Sequence, residues 1–367
     1  MLPILAAYGC ATQDDFLKGR KDVVPLDERP VREPQAPNDF LLHSPAQSVV
    51  GEPQVVFTRA EDTLSDLARE YGLGYDEIVA ANPGVNPWLP GENTPVLLPT
   101  QYVLPDVPRQ GIVLNIATKR LFYFPQAEEG DAQKVLTYPI GIGRVGWETP
   151  LGSTTVVSKA RDPSWWVPLS VRREHAEMGN PLPSVVPPGP DNPLGSRVLK
   201  LDMPGYLIHG TNTPYGVGMR VSHGCVRLYP ENIELLYELV AIGEPVMIVN
   251  EPYQVGVQDD ALYFEAHAPL EDDALPPEER LQALLDRQPD MAGQPLNEHL
   301  REHIRSLAAE PRGVPVRIAM YDDEEVMARA RVVENTVEMD PNAPTLTEVR
   351  EMMDEADVEA EAEQESL

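Results

Sequence analysis

Short apolar runs separated by turn-forming residues dominate the stretch from residue 103 to residue 250. Residues 112–117 and 120–124 are rich in β-branched and aromatic side chains, and Thr118 and Lys119 between them predict a hairpin. Helical spacing of apolar side chains appears only over about 231–240. Further strands are predicted at 136–142, 154–158, 197–201, 206–209 and 246–250. Many short strands with few helices predict a mainly β domain, built as a sandwich or an open barrel, over residues 101–250.

A different pattern occupies residues 51–100, where the order is strand, helix, helix, strand. Residues 55–58 form the first predicted strand. Thr63 is the predicted N-cap of a helix over 64–71, since its hydroxyl can accept from a free N–H of the first turn. Gly72 ends that helix, a second helix follows at 75–81, and 95–99 returns as a strand. The sequence therefore predicts a small α/β module of βααβ order.

The flanking segments differ in composition from both units. Residues 11–50 are polar and proline-rich and predict a linker. Residues 251–340 predict a mixed C-terminal extension, with a strand at 262–267, helices at 276–287 and 296–308, and a strand at 314–320. Between residues 348 and 365 there are nine acidic residues and one Arg, which predict a disordered acidic tail over 341–367.

The charge balance limits the partners of this chain. Its 367 residues carry a formal net charge of −30, from 29 basic and 59 acidic side chains. Nucleic acid and anionic lipid both select for Lys and Arg, so neither is an expected partner. No stretch approaches the roughly 20 apolar residues of a transmembrane helix. The length allows two or three domains.

The densest chemistry lies in the segment Ser222-His223-Gly224-Cys225-Val226-Arg227, with His209-Gly210 upstream. His209 precedes Cys225 by 16 residues, and the connection contains Pro214, Gly216 and Gly218, which favour a loop that folds back. An imidazole beside a thiol can carry its proton and so generate the nucleophilic thiolate. Gly224 leaves the main chain beside the sulfur uncrowded, so N–H groups there could face an oxyanion.

These residues resemble the YkuD-type L,D-transpeptidase family, bacterial enzymes that remodel peptidoglycan. Thr149-Pro150-Leu151-Gly152 is similar to a second segment of that family. The resemblance implies a β-sandwich catalytic domain with Cys225 as nucleophile and His209 as general base, its ring oriented by the carbonyl of Gly210. His223 is the alternative base, or it shapes the loop.

Three further residues of the motif are predicted to contact substrate. Arg227 follows Cys225 by two residues, so on a strand it points to the same side, where its guanidinium suits a carboxylate of the peptide stem. Arg220 has the same interpretation; for both, a structural salt bridge is the alternative. Ser222 either contacts substrate or hydrogen-bonds the loop. No metal or other cofactor is expected, since the remaining histidines form no recognisable ligand set.

The βααβ module resembles a LysM domain. The matching positions are Asp62-Thr63-Leu64, Ala68, Tyr71-Gly72, Ile78, Ala81-Asn82-Pro83-Gly84, Leu89-Pro90-Gly91 and 97–99, with Glu61 where the family usually has Gly. The resemblance implies binding of N-acetylglucosamine-containing glycans. The alternative is that the module only packs against the catalytic domain.

Together these resemblances predict an envelope L,D-transpeptidase that cleaves the diaminopimelate–D-alanine bond of a tetrapeptide stem. The acyl group then passes to an amine, either a second diaminopimelate or a lysine of an outer-membrane protein, or to water. Residues 1–10 resemble the end of a bacterial lipoprotein signal, which implies a lipid anchor at Cys10 in a periplasmic enzyme; the alternative is that this segment is ordinary apolar sequence. The enterobacterial subgroup that includes lipoprotein-attaching enzymes is the most similar. The alternative hypothesis is a non-catalytic peptidoglycan-binding scaffold.

Overall fold

The computed structural model of the protein describes residues 24–35, 38–127, 131–318 and 326–338. The lipoprotein-like ending at Cys10 and the acidic tail 341–367 lie outside the described residues. None of the helices formed by the described residues is both long and apolar enough to cross a bilayer.

The strands and helices of the described residues are numbered here in chain order. The strands are β1 (Asp39–Leu41), β2 (Val49–Gly51), β3 (Gln54–Phe57), β4 (Pro95–Leu98), β5 (Gln101–Val103), β6 (Gly111–Asn115), β7 (Arg120–Phe124), β8 (Lys134–Pro139), β9 (Ile142–Gly143), β10 (Gly152–Arg161), β11 (Trp165–Trp166), β12 (Val185–Val186), β13 (Arg197–Leu201), β14 (Leu207–His209), β15 (Arg220–Ser222), β16 (Val226–Arg227), β17 (Pro245–Val249), β18 (Tyr253–Gln258), β19 (Ala261–Ala266), β20 (Val316–Ile318) and β21 (Arg331–Val333). The helices are α1 (Leu64–Glu70), α2 (Tyr75–Ala81), α3 (Leu169–Glu177), α4 (Pro230–Leu239), α5 (Pro277–Arg287), α6 (Glu298–Ala309) and α7 (Val326–Arg329).

A nine-stranded sheet of order β1-β8-β7-β6-β17-β10-β13-β14-β16 is the centre of the fold. Strand β10 joins its two halves, because Gly152 to Thr155 pair with β17 and Val156 to Arg161 pair with β13. The ladder is irregular between Val156 and Ser158, where such a strand can bend from one half to the other. The sheet therefore curls over itself, and the prediction of a mainly β catalytic domain is confirmed.

Both faces of the curled sheet are buried near β6, β7 and β8. Leu121 and Tyr123 point into the core enclosed by the curl, together with side chains of β13, β14 and helix α4. Phe122 and Phe124, which alternate with them, pack on the opposite face against helices α1 and α2. An antiparallel sheet commonly has one face exposed to solvent. Here both faces carry apolar side chains because a second unit covers the outer face of the sheet.

That second unit is the βααβ module formed by β3, α1, α2 and β4. Thr63 caps α1 as predicted, since its hydroxyl accepts from the Asp66 N–H at 3.1 Å and the Asp66 carboxylate accepts from the Thr63 N–H. The helix 75–81 is confirmed with both bounds. The chain's C-terminal side also contributes, because β21 pairs in parallel with β3 and widens this sheet to three strands.

Two strands lie where the sequence predicts a linker. Strand β1 forms the edge of the nine-stranded sheet, with Phe40 buried, and β2 pairs with β5. Each strand has three residues among prolines and polar side chains, which is too short for a periodic signal. Their partners, β8 and β5, are distant in sequence, so only the folded chain reveals these pairings.

The C-terminal extension packs as a three-stranded sheet, β18-β19-β20, under helices α5 and α6. Glu265 of β19 is 4% exposed and links the extension to the rest, since it accepts from the Val103 N–H at 2.7 Å and pairs with His267 at 2.6 Å. All four elements predicted in this region are present, and their bounds differ from the expected ones by at most two residues.

A buried ion pair joins the module to the sheet. Arg120 of β7 is 1% exposed, and its Nε and Nη2 each donate at 2.7 Å to the carboxylate of Glu77 in α2. The same guanidinium donates to the carbonyl of Gly72 at 3.1 Å and to the hydroxyl of Thr137 at 3.2 Å, and it lies 4.1 Å from the ring centre of Tyr102. Every charge is thereby compensated, as burial of an ion pair requires.

Glu77→Gln is expected to lower the free energy of unfolding by about 3–5 kcal/mol, because it leaves the Arg120 charge buried without a counter-charge. Denaturant unfolding followed by tryptophan fluorescence measures the change. Asp76→Asn is the matched control: it removes a neighbouring pair with Lys119 in which the Asp76 side chain is 42% exposed, and such pairs contribute at most about 1 kcal/mol. If the free energy of unfolding fell by the same amount in both variants, the importance of the buried pair would be contradicted.

Candidate active site

The pairing of β14 with β16 brings the two parts of the motif together. The strands are parallel, with Ile208 opposite Val226 and His209 opposite Arg227. Cys225 directly precedes β16, so alternation puts its side chain on the same face as Arg227 and His209. The connection between the strands folds back through a 3₁₀ turn at Pro214–Gly216 and strand β15. The predicted return of this loop is confirmed.

His209 is a buried, neutral imidazole. It is 3% exposed, and its Nδ1 lies 2.6 Å from the carbonyl oxygen of Gly210. A carbonyl only accepts, so Nδ1 carries the proton and Nε2 keeps its lone pair. Burial, followed by the nearby Arg227 cation, lowers the pKa of His209 to about 3, against the carbonyls of Gly210 and Leu194, which favour the charged ring. The ring is therefore available as a proton acceptor at neutral pH.

Cys225 is a free, half-buried thiol. Its Sγ lies 3.5 Å from the carbonyl oxygen of Gly205. Burial raises the pKa of the thiol, while the Leu207 N–H and the Arg227 cation oppose that rise because both stabilise the thiolate. The resting site thus holds a neutral thiol and a neutral imidazole.

Arg227 has no protein counter-ion within the described residues. Its Nε is buried without a hydrogen-bond partner, and burial lowers the pKa of the guanidinium. The same cation lowers the pKa values of His209, His223 and Cys225, so it lies close to all three. A buried donor without a partner costs about 1–3 kcal/mol, which a ligand anion could recover.

The turn before Cys225 is held by hydroxyl groups. Ser222 Oγ donates to the Cys225 carbonyl at 2.5 Å and accepts from the Gly224 N–H at 3.2 Å. Thr149 Oγ1 donates to the Gly224 carbonyl at 3.0 Å and accepts from the Gly143 N–H at 3.1 Å. The sequence identifies Thr149 only through a family resemblance and does not predict that its hydroxyl bridges two segments.

Gly224 adopts a backbone conformation that other residues rarely take. Its φ is +98°, and a Cβ there would lie 3.1 Å from the ring of Tyr206. The positive φ strongly favours glycine at this position, and the nearby ring leaves little room for a Cβ.

His223 is enclosed by side chains that the sequence gave no reason to connect. Its Nε2 lies 2.8 Å from Glu174 Oε2 and 3.1 Å from Arg144 Nη2, and Arg144 also pairs with Glu174. The edge of Trp147 contacts the ring, with centroids 4.9 Å apart. Burial lowers the pKa of His223; Glu174 opposes this shift and the Arg144 cation adds to it. Glu174 lies on α3, a helix that the apolar pattern did not predict.

Arg220 is paired, in contrast to Arg227. Its Nη2 donates to Asp272 of the C-terminal extension at 2.9 Å, and its Nε donates to the Gly143 carbonyl at 3.2 Å. The extension therefore reaches the strand that leads into the motif. A substrate role for Arg220 or Ser222 stays a prediction. Among the described residues, no group of three His, Cys, Asp or Glu side chains is arranged to hold a metal ion.

Comparison with known proteins gives the family. The model of the YkuD L,D-transpeptidase catalytic domain matches residues 109–248. "Probable L,D-transpeptidase YbiS" of Escherichia coli (strain K12) is 40% identical over 235 residues, which is 63% of this chain and 75% of the relative. "Probable L,D-transpeptidase YcfS" of the same strain is 39% identical over 243 residues, 65% of this chain and 75% of the relative. "Probable L,D-transpeptidase ErfK/SrfK" of Salmonella typhimurium is 40% identical over 235 residues, with 63% and 74% covered. The chain belongs to the YkuD L,D-transpeptidase family and is an L,D-transpeptidase.

Alkylation of Cys225 by iodoacetamide is expected to accelerate with pH up to a midpoint above that of an ordinary thiol, because burial raises the thiol pKa. The neutral His209 supplies no imidazolium to hold a thiolate at lower pH. Mass spectrometry of the Cys225 peptide gives the rate at each pH, and a Cys10→Ser variant removes the second thiol. A rate that stays constant between pH 5 and pH 8 would mean that a thiolate–imidazolium pair exists at rest.

Proposed function

We propose that this L,D-transpeptidase uses Cys225 as its nucleophile and His209 as its general base, acting on the tetrapeptide stem of peptidoglycan. The observation that carries the proposal is the β14–β16 pairing, which gives Cys225, His209 and the unpaired Arg227 a common face. The family supplies the reaction class. Thiol chemistry at this geometry supports the residue roles.

The reaction begins with transfer of the thiol proton to Nε2 of His209 as Sγ attacks the carbonyl carbon of the diaminopimelate residue. The carbonyl becomes an oxyanion, which main-chain N–H groups of the Gly224–Cys225 turn receive. The Gly224 N–H donates to Ser222 Oγ at rest, so it must shift or share its hydrogen bond. Collapse of the oxyanion breaks the C–N bond, and the imidazolium returns the proton to the departing D-alanine amine. A thioester on Cys225 remains.

An amine then resolves the thioester. Its nitrogen attacks the acyl carbon, the C–S bond breaks, and the proton lost by the amine ends on the Cys225 thiol through the histidine base. The amine belongs either to a second diaminopimelate, which gives a 3→3 cross-link, or to a lysine of an outer-membrane protein, which gives covalent anchoring. Similarity to the subgroup of YbiS and YcfS slightly favours anchoring in our proposal. Water in place of the amine would make the reaction an L,D-carboxypeptidation.

We assign a free carboxylate of the stem to Arg227. The half-buried cation lies beside the nucleophile, its Nε is buried, and it has no counter-ion among the described residues, whereas Arg220 is already paired with Asp272. A carboxylate placed on Arg227 would satisfy its donors and neutralise a charge that otherwise faces His209.

The βααβ module is proposed to be a LysM domain that binds the glycan of the same polymer. Its element order and the Asp62-Thr63-Leu64 start of α1 support this assignment. We divide the chain into this module at 51–100, the catalytic domain at 101–250 and the extension at 251–340. An envelope location in the periplasm, with a lipid on Cys10, completes the proposal.

Incubation of the protein with disaccharide-tetrapeptide, with and without a lysine-bearing peptide, tests the proposal by mass spectrometry. We expect loss of the terminal D-alanine and an acyl adduct on Cys225, both absent from Cys225→Ala. The mass of the resolved product identifies the acceptor. Intact tetrapeptide with both proteins, while sedimentation with purified peptidoglycan persists, would overturn the catalytic roles and favour the scaffold hypothesis.

Arg227→Gln is expected to raise KM for the tetrapeptide by roughly tenfold to a hundredfold, which corresponds to loss of a charged hydrogen bond of about 1.5–3 kcal/mol. Arg227→Lys should have an intermediate effect, because it keeps the charge and loses the planar fork. Steady-state kinetics with the tetrapeptide and with an analogue amidated at the diaminopimelate carboxylate measure both. Arg161→Gln, at an exposed pair with Glu238, is the control. If amidation raised KM by the same factor in wild type and in Arg227→Gln, the assigned contact would be excluded.

A further inference from the structure

Helix α3 lies in the insertion between β10 and β13 and has no role in the reaction as proposed so far. Of its nine residues only Val171 is buried. Yet Glu174 and His175 approach the catalytic turn: Glu174 pairs with His223, and the rings of His175 and His223 are 6.2 Å apart. This helix thus meets the motif through polar side chains.

The hydrogen-bond partners of His223 determine its tautomer. Nε2 faces the Glu174 carboxylate at 2.8 Å and the Arg144 guanidinium at 3.1 Å. Nε2 could donate to Glu174 or accept from Arg144, but an unprotonated Nε2 would place its lone pair 2.8 Å from a carboxylate oxygen, and Arg144 already donates to that carboxylate. The shorter contact therefore favours donation from Nε2 to Glu174 over acceptance from Arg144 at 3.1 Å. In the neutral ring Nε2 therefore carries the hydrogen and Nδ1 is the acceptor.

The charged and titratable groups around His223 come from three parts of the chain. Arg144 precedes β10, Glu174 and His175 come from α3, and Arg227 comes from β16. Both cations disfavour a protonated ring, and Glu174 is the anion that opposes them. Without that anion the ring would face two positive charges and no acceptor.

We propose that Glu174 is a positioning residue for the reaction: by accepting the Nε2–H of His223 it fixes the Nδ1-acceptor tautomer and seats helix α3 on the catalytic turn. The inference rests on the proposed function, because His223 adjoins Cys225 through Gly224. Arg144 supports the arrangement by pairing with the same carboxylate. A ring fixed in this way presents an acceptor nitrogen in every turnover, whereas a free ring would divide its population between two tautomers.

Nitrogen NMR of ¹⁵N-histidine-labelled protein tests the tautomer without reference to activity, with the His223 signals assigned through His223→Gln. In wild type we expect the pattern of a ring protonated at Nε2. Glu174→Ala should give a mixed tautomer pattern for His223 and a lower titration midpoint, because the group that opposes the lowered pKa is gone. Glu174→Gln should retain the tautomer, since its amide oxygen still accepts, and should lower the midpoint. The proposal would be overturned if His223 of wild type were protonated at Nδ1, or if its nitrogen NMR pattern were the same in Glu174→Ala as in wild type.

Kinetics supply the second readout. Glu174→Ala is expected to lower kcat by about tenfold or more, in the range set by positioned acid–base groups, with KM changed less than twofold and partial rescue in Glu174→Gln. Glu177→Gln, an exposed site on the same helix, is the matched control. If kcat of Glu174→Ala fell no further than kcat of Glu177→Gln, the positioning role would be refuted. Absence of any turnover by wild type would refute the proposed function instead, and the NMR result would still decide the tautomer.

Discussion

The buried pair of Arg120 and Glu77 is the interaction on which the arrangement of this protein depends. Glu77 also accepts from the Gly74 N–H at 2.6 Å and so holds the start of helix α2. That start contacts the active-site loop directly: the Tyr75 N–H donates to the Val217 carbonyl at 3.2 Å, and a Cβ at Gly218 would lie 2.4 Å from the Gly74 Cα. One compensated charge pair therefore fixes the module, the sheet and the loop between His209 and Cys225 relative to each other.

Two features characterise the active site: which of its arginines have carboxylate partners, and which of its titratable groups burial keeps neutral. Arg120, Arg144 and Arg220 have carboxylate partners, whereas Arg227 has none within the described residues. Desolvation keeps the thiol and the nearby imidazole neutral at rest. An unpaired, half-buried cation beside a neutral nucleophile is consistent with a site that is completed electrostatically by an anionic substrate.

Much of the fold could be predicted from local pattern. Strands such as Arg120–Phe124 and Arg197–Leu201 and the helix Tyr75–Ala81 have the predicted bounds, because their side-chain periodicity reflects which face is buried. Helix α3 and strand β1 could not be predicted. The first has almost no buried face, and the second has three residues whose pairing with β8 is a long-range contact.

The sequence by itself determined the chemistry that could occur, since His223, Gly224 and Cys225 are consecutive and His209 precedes Cys225 by 16 residues. It also determined the turn, because the backbone conformation at Gly224 strongly favours glycine. The tertiary structure alone decided which arginine of the site lacks a carboxylate partner among the described residues, which nitrogen of His209 carries the proton, and that Glu174 contacts His223 from 49 residues away. The physical reason is that protonation and pairing depend on desolvation and on neighbouring charges, and these come from segments that only folding brings together.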